Sequence, residues 1–288
     1  MNSNVFKKVI VVTGANRGIG YGIIETFCKL NSDNLLVLTS RNKEKGNETL
    51  EKLKSQYPNS KHNLFMEELD ILDKSSISDF VTRFRQKFRF ANILYNNAGI
   101  LNRNPPIDKT IREKDIQKTF SSNVWGLNDL TEEMIPYIRN GGHIINMSTE
   151  LAFMTFSKAL RDRFLDENLT KEDLEKLYKE YHDAFVNNKL DETGWQDNKK
   201  EYGCYPTSKV FLNSYTKILS KRLNKGGNNI KVNAVSPGWC KTDMGGSNAP
   251  RDYLKGAETP VWLASFSEEK NPELTGDFYY EKKKLKWR

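Results

Sequence analysis

Val9-Ile10-Val11-Val12-Thr13-Gly14-Ala15-Asn16-Arg17-Gly18-Ile19-Gly20 runs from four β-branched residues through a glycine-rich turn into a helix-forming stretch. The first four read as a short strand buried on both faces, as in a parallel sheet. From Gly18 to Leu30 the apolar residues Ile19, Ile23, Ile24 and Phe27 recur at helical spacing. Glycines between a strand and a helix permit a tight turn and let backbone N–H groups approach an anion at the positive end of the helix. The spacing is Gly-x-x-x-Gly-x-Gly, which differs from the Gly-x-Gly-x-x-Gly fingerprint of many dinucleotide-binding turns. A glycine-rich turn alone marks only a βα connection. Placed after the first strand of an α/β chain, it points to a dinucleotide, with Gly14, Asn16, Arg17, Gly18, Ile19 and Gly20 as the binding stretch.

The rest of the chain keeps the same alternation. Apolar runs at Leu35 to Thr39, Asn63 to Leu69, Ala91 to Tyr95, Ile144 to Met147, Ile230 to Val235 and Gly276 to Tyr280 read as strands. Helical patterns fall between them, at Asn42 to Tyr57, Ser75 to Phe88, near Thr110 to Arg139, and at Tyr205 to Leu223. This order predicts an α/β fold, a doubly wound parallel sheet covered on both faces, with ligands at the carboxyl ends of the strands. No linker divides the chain, so residues 1–288 are expected as a single Rossmann-type domain. One segment, about 151–200, holds no strand. Its best element starts at Thr170 with Asp173 three residues on, a capping-box pattern, followed by an apolar stripe from Leu174 to Phe185.

The end of the second strand discriminates between cofactors. An acid there would hold a free ribose 2′-hydroxyl, whereas an arginine suits a 2′-phosphate. The sequence is Thr39-Ser40-Arg41, and Arg17 adds a second cation, so NADP(H) is favoured over NAD. The sharpest chemical signal is Tyr205-Pro206-Thr207-Ser208-Lys209. Residues four apart share a helix face, and a proline is comfortable where a helix begins. Lys209 would thus lie one turn behind Tyr205, where an ammonium stabilises a phenolate and suits the phenol for acid–base work.

Taken together, these motifs resemble the short-chain dehydrogenase/reductase superfamily along nearly the whole chain. The resemblance rests on Thr-Gly-x-x-x-Gly-Ile-Gly from Thr13, Asn96-Asn97-Ala98-Gly99, Asn123 in Ser122-Asn123-Val124-Trp125-Gly126, Tyr205-x-x-x-Lys209 and Pro237-Gly238. Within the superfamily the chain is most similar to the monomeric NADPH-dependent carbonyl reductases. It shares their long insert before the tyrosine, Gly194-Trp195 within it, Pro237-Gly238-Trp239-Cys240-Lys241-Thr242-Asp243-Met244, and Gly256-Ala257-Glu258-Thr259-Pro260-Val261.

The resemblance implies NADPH-dependent reduction of quinones, aldehydes and ketones, with Tyr205 as proton donor. It makes Asn123, a hydroxyl at the end of the fifth strand, Tyr205 and Lys209 a catalytic tetrad, with Asn123 holding a proton-relaying water. Asp70 and Ile71 would meet the adenine, Asn97, Ala98 and Gly99 the adenosine side, and Pro237, Gly238 and Thr242 the nicotinamide. Lys209 would also bond the nicotinamide ribose. Trp239, Thr149 and Tyr205 would face the substrate, with residues of about 237–260 forming a substrate loop. The insert would cover the surface that many relatives use to oligomerise, which implies a monomer. The alternatives are an alcohol or steroid dehydrogenase working oxidatively, and a non-catalytic NADP(H)-binding regulator.

The hydroxyl itself is a choice between Ser148 and Thr149, which close Ile144-Ile145-Asn146-Met147. Adjacent strand side chains point to opposite faces, so only one aims inward while extended geometry lasts. The family pattern Gly-x-Ile-Ile-x-x-x-Ser, counted from Gly142, places the catalytic position at Thr149. Threonine keeps the donor and acceptor of serine and adds a methyl group and a stiffer χ1.

Composition narrows the remaining classes. Of the formal charge of +8, a net +4 lies in Glu281 to Arg288, and no aromatic–basic platform accompanies it, so nucleic acid is not expected as a partner. No apolar run reaches the roughly 18 residues a membrane span requires, and no metal is expected. Met1 to Lys8 lacks the layout of a signal peptide. Three widely spaced cysteines, Cys28, Cys204 and Cys240, suit a reducing compartment, so a cytoplasmic protein is expected and the sequons at Asn47, Asn146 and Asn168 carry no meaning. Cys204 and Cys240 flank the motifs and read as packed residues before reactive thiols.

Overall fold

The computed structural model describes residues 8–30, 33–102, 108–152, 156–195, 202–225, 227, 229–266 and 274–286. The first half holds β1 (Val9–Val12), α1 (Gly18–Lys29), β2 (Leu35–Ser40), α2 (Lys43–Gln56), β3 (Leu64–Glu68), α3 (Lys74–Phe88) and β4 (Ala91–Asn96). Then come α4 (Lys109–Phe120), a π-helical turn over Ser121–Trp125, α5 (Gly126–Met134) and β5 (Ile138–Met147). The insert contributes α6 (Lys158–Leu165) and α7 (Lys171–Val186), and the chain ends with α8 (Tyr205–Lys225), β6 (Lys231–Val235), α9 (Tyr253–Leu263), β7 (Phe278–Tyr280) and β8 (Lys283–Leu285).

The strands form one sheet in the order β3-β2-β1-β4-β5-β6-β7-β8, parallel except for the antiparallel pair β7·β8. β1 pairs with β2 on one side and with β4 on the other. The connections leaving β1 and β4 therefore diverge at the switch in strand order and leave a crevice between them. Alternation along β1 assigns its side chains to two cores. Val9 and Val11 join the face packed by α3, α4, α5, α7 and α8, while Ile10 and Val12 join the face packed by α1 and α9.

Several expected boundaries move, each for a physical reason. β5 begins at Ile138, well before Ile144, because Arg139-Asn140-Gly141-Gly142 interrupts the apolar run without interrupting the pairing with β4, where the register shifts between Ala91 and Ile93. Of residues 237–260, expected as one loop, those from Tyr253 onward are helix α9 despite Pro260. That helix lies so close to α1 that a Cβ on Gly22 would meet the Tyr253 Cδ2 at 2.9 Å, and one on Gly256 would meet Ile19 Cδ1 at 2.6 Å. Tyr95 of β4 anchors it further by donating from Oη to the Pro260 carbonyl at 3.0 Å. Part of the basic tail forms the edge strand β8, where Lys284 pairs with Asp277 at 2.8 Å.

Within the insert, Thr170 caps α7 as the sequence predicts, its Oγ1 accepting from Asp173 N at 3.2 Å while Asp173 Oδ2 accepts from Thr170 N at 3.3 Å. The insert packs through aromatic rings. Trp195 lies edge-on to Phe156 and Phe164, with centroids 5.1 and 5.9 Å away, and Phe164 meets Phe211 of α8 at 5.3 Å. Tyr178 and Tyr181 of α7 cover Phe120 at the end of α4. The expected extent of the insert, about 151–200, includes residues 153–155 and 196–200, which lie outside the described residues, as do residues 1–7 and 287–288 at the ends.

Candidate active site

A cavity of about 690 Å³ opens at the carboxyl ends of β1, β2, β4 and β5. Its floor is the glycine-rich turn. Gly14 and Gly18 adopt φ of +61° and +58°, the left-handed region that favours glycine. A Cβ at Gly14 would also approach Ala98 Cα to 3.1 Å, so the turn lies directly on the segment after β4. Thr13 fastens the two, its Oγ1 accepting from Asn97 N and Ala98 N, both at 2.9 Å. Asn97 returns the link, donating from Nδ2 to the carbonyls of Thr13 at 2.8 Å and Gly14 at 3.2 Å.

Most of the residues singled out for the cofactor line this cavity. Gly14, Asn16, Arg17, Gly18 and Ile19 form its floor, and Asp70 and Ile71 one end. Asn97, Ala98 and Gly99 form the side, and Tyr205, Lys209, Pro237 and Thr242 the other end. Gly20 and Gly238 do not line it. Gly20 packs behind the turn, where a Cβ would stand 2.5 Å from Asn97 Nδ2 and 2.8 Å from Gly14 O, so close approach is its reason for being glycine. Gly238, at φ +76°, turns the chain after β6 and donates its N–H to Ser236 Oγ at 3.0 Å.

The cavity fits a dinucleotide phosphate. Its volume falls in the range of small-molecule sites. Helix α1 starts on it with Arg17 as N-cap and no side-chain cap, which leaves the first N–H groups of the helix for an anion. Arg41 stands at the end of β2, and Lys45, one turn into α2, lines the same wall. Sequence reasoning missed Lys45, because on an otherwise charged helix it resembled any solvated lysine. Arg17 pairs with Asp243 at 2.6 Å across the cavity rim, both side chains exposed, which limits the pair to about 1 kcal/mol.

Tyr205 and Lys209 open α8 and are both buried. Their relation differs from the sequence expectation. Lys209 Nζ donates to the Met147 carbonyl at 2.9 Å and lies 5.8 Å from the centre of the Tyr205 ring. Burial raises the Tyr205 pKa far above that of an ordinary phenol, and the Glu150 carboxylate pushes it further the same way. Burial also lowers the Lys209 pKa to about 7. Both shifts arise from burial, which favours the protonated phenol and the neutral amine in this state.

Asn123 sits at the centre of the π-turn, fully buried. Its Oδ1 accepts from Ile100 N at 2.8 Å, and its Nδ2 donates to Ile100 O at 2.9 Å and to Ser208 Oγ at 3.1 Å. Ser208 Oγ in turn donates to the Tyr205 carbonyl at 2.6 Å. The side chain thus braces the strand-β4 loop against the start of α8, with both amide hydrogens engaged. A Cβ on Gly99 would stand 3.0 Å from Asn123 Oδ1 and 3.5 Å from Lys209 Nζ, so only a glycine lets these two groups approach the cavity wall together.

The two hydroxyls after β5 part company. Ser148 lines the cavity, but its Oγ is sealed from solvent and has no hydrogen-bond partner among the described residues. Thr149 is half-buried and does not line the cofactor cavity; its Oγ1 accepts from Leu151 N at 3.2 Å, which leaves its own hydrogen free to donate. Trp239 is 54% exposed, with Nε1 donating to Gly245 O at 2.8 Å, and it too lies outside the cavity lining, whereas the exposed Met244 is part of it. Cys204 and Cys240 are buried, and burial pushes both thiols up, Cys240 to about 11, so both are packed, unreactive groups at neutral pH.

Known proteins share both the sequence pattern and the fold. The family model described as short chain dehydrogenase matches residues 8–160, and a second, described as Enoyl-(Acyl carrier protein) reductase, matches residues 189–264. Carbonyl reductase [NADPH] 1 of Bos taurus is 32% identical over 97% of this chain and 98% of its own length. Among solved structures, salutaridine reductase from Papaver somniferum superposes with a TM-score of 0.81 at 24% identity, covering 96% of this chain and all of that one. The NADPH-bound carbonyl reductase from chicken fatty liver does so with a TM-score of 0.67 at 23% identity, over 94% and 95% of the two chains.

Proposed function

The chain belongs to the short chain dehydrogenase family, and on that premise we propose that it is an NADPH-dependent carbonyl reductase that converts quinones, aldehydes and ketones to alcohols. The observation that carries this reading is Tyr205, a buried phenol on the wall of a dinucleotide-sized cavity, one helical turn ahead of Lys209. NADPH, when bound, supplies the hydride that the carbonyl carbon receives. Arg41, Lys45 and Arg17 hold its 2′-phosphate, and the first turn of α1 receives the pyrophosphate. Asp70 and Ile71 meet the adenine.

Tyr205 gives its proton to the carbonyl oxygen as the carbon becomes tetrahedral, which leaves an alcohol and a phenolate. Lys209, one turn behind, then faces that phenolate with its ammonium and lowers the cost of the charge. The Thr149 hydroxyl holds the carbonyl oxygen in place. Asn123 keeps α8 in register through Ile100 and Ser208 and so fixes where the phenol points. Solvent returns the proton to Tyr205.

A phenol that holds its proton is equipped to reduce. A dehydrogenase working oxidatively uses the same groups in reverse, with the Tyr205 phenolate as base, and alcohol oxidation with NADP+ measured beside carbonyl reduction separates the two. The aromatic packing of the insert over α4 and α8 supports a monomer, which size-exclusion chromatography with light scattering checks. A cytoplasmic location is part of the same proposal; among the described residues no helix is long and apolar enough to cross a membrane. The function is tested by following NADPH and NADH consumption over a panel of quinones, aldehydes and ketones. Turnover with NADPH preferred supports it. Tight NADPH binding without turnover of any carbonyl would instead mark a regulator.

A further inference from the structure

Glu150 follows Thr149 directly and sits in the short 3₁₀ turn that caps β5. Two hydroxyl groups orient its carboxylate. Ser236 Oγ donates to Glu150 Oε2, and the Tyr280 phenol is a second donor to the same carboxylate. Ser236 follows the last residue of β6 and precedes Pro237, which lines the cavity, and it also accepts the Gly238 N–H at 3.0 Å. Tyr280 lies at the end of β7. The carboxylate is therefore fixed beyond the carboxyl ends of three adjacent strands, β5, β6 and β7, next to the Pro237 wall of the cavity.

The hydroxyl donors orient the carboxylate, and among the described residues no lysine, arginine or histidine lies within ion-pairing distance of Glu150. The nearest cation in the network, Arg251, is spent on Glu281 and donates from Nη2 to Tyr280 Oη at 2.6 Å. Lys209 is turned toward Met147 O. The Cys240 thiol and the Tyr205 phenol both feel the Glu150 charge, and both are pushed toward their protonated forms by it. A substrate whose carbonyl reaches Tyr205 enters the same field.

We propose that Glu150 is a specificity-determining residue that selects carbonyl compounds bearing a protonated amine or other cationic group and rejects those bearing a carboxylate. This rests on the carbonyl reductase reading and deepens it. A carboxylate held beside Thr149 and the Pro237 wall of the cavity attracts a cation and repels an anion by an amount that water screens only in part. The effect acts on binding and on the transition state together, because the substrate charge is present in both.

The test uses three benzaldehydes, para-substituted with trimethylammonium, nitro and carboxylate groups, and the full-length protein with saturating NADPH. Ratios of kcat/KM between wild type and variant cancel the intrinsic reactivity of each aldehyde. Glu150→Gln keeps an acceptor for Ser236 and removes the charge. It is expected to lower kcat/KM for the cationic aldehyde and raise it for the anionic one, each by at least about fivefold, with the nitro compound within about twofold. Glu150→Lys reverses the order. A shift of all three by the same factor would show a structural role and overturn the proposal, as would no shift at all.

Should the variants fail to fold, wild-type selectivity normalised to borohydride reduction of the same aldehydes decides the point. A cation preference supports the proposal, and an absent or opposite preference overturns it. No turnover of the nitro compound would instead count against the carbonyl reductase reading.

Discussion

The ammonium nitrogen of Lys209 donates to the carbonyl oxygen of Met147 at 2.9 Å, inside a pocket that leaves the lysine only 4% exposed. A lysine held there is costly when charged, and burial brings its pKa from 10.5 down to about 7. Above pH 10.5 both the folded and unfolded chains carry a neutral Lys209, and the cost vanishes. As pH falls from 10.5 to 7 only the unfolded chain takes up the proton, so stability declines across that window and levels off below it. Lys209→Met removes this dependence. The melting temperature of the variant relative to wild type is expected to be highest near pH 6 and to fall by several degrees as pH approaches 10.5, while turnover is lost. Thermal melts of both proteins without cofactor across this range read the difference; a flat difference contradicts the assignment.

The hydroxyls after β5 make a paired prediction. Ser148 Oγ is sealed and partnerless, whereas Thr149 is half-buried with a free donor. Thr149→Ala is expected to cut kcat by about 10²-fold or more, as losing a positioned donor to a reacting oxygen does elsewhere. Ser148→Ala should leave kcat within about threefold and does not lower the melting temperature, since no hydrogen bond is lost. The opposite pattern transfers the role to Ser148.

At the other end of the cavity, Arg41 and Lys45 line the wall proposed to hold the 2′-phosphate. Arg41→Asp is expected to raise KM for NADPH by at least about tenfold and shift the preference toward NADH; Lys45→Ala should give a smaller change in the same direction. Initial rates with both cofactors measure it, and an unchanged preference in both variants removes the two cations from the phosphate site.

Gly20→Ala separates packing from contact. Its new methyl would collide with Asn97 Nδ2 and Gly14 O, forcing the turn off the β4 loop. The expected result is a loss of stability of about 1–3 kcal/mol together with weaker NADPH binding. Denaturant titration with a binding isotherm tests both; full stability with intact binding contradicts the geometry.

How much of this was legible in the sequence depended on which physical signal each residue carried. The buried strands announced themselves through β-branched runs, and the glycine turn, Arg41 and the Tyr205–Lys209 pair through spacing. Helix α9 did not, because Gly256 and Pro260 are poor helix formers; its stability comes from packing against α1, which no local pattern shows. The start of β5 was hidden by Arg139 to Gly142, and β8 by its lysines. The direction of the Tyr205 shift was misjudged because spacing brings Lys209 near but says nothing of burial or of the Met147 carbonyl that accepts its hydrogen bond. Glu150 carried no signal in the sequence, since it is the fold that brings Ser236 and Tyr280, from after β6 and from β7, to its carboxylate.

The most direct test of the account is the rate of NADPH oxidation with an aromatic aldehyde by wild type and by Tyr205→Phe, measured beside NADPH affinity. Phenylalanine keeps the ring and removes the proton donor, so the account predicts turnover in wild type and at least about a 10²-fold loss in the variant, with affinity within about threefold. Turnover retained in Tyr205→Phe, or absent from wild type across quinones, aldehydes and ketones, would contradict it.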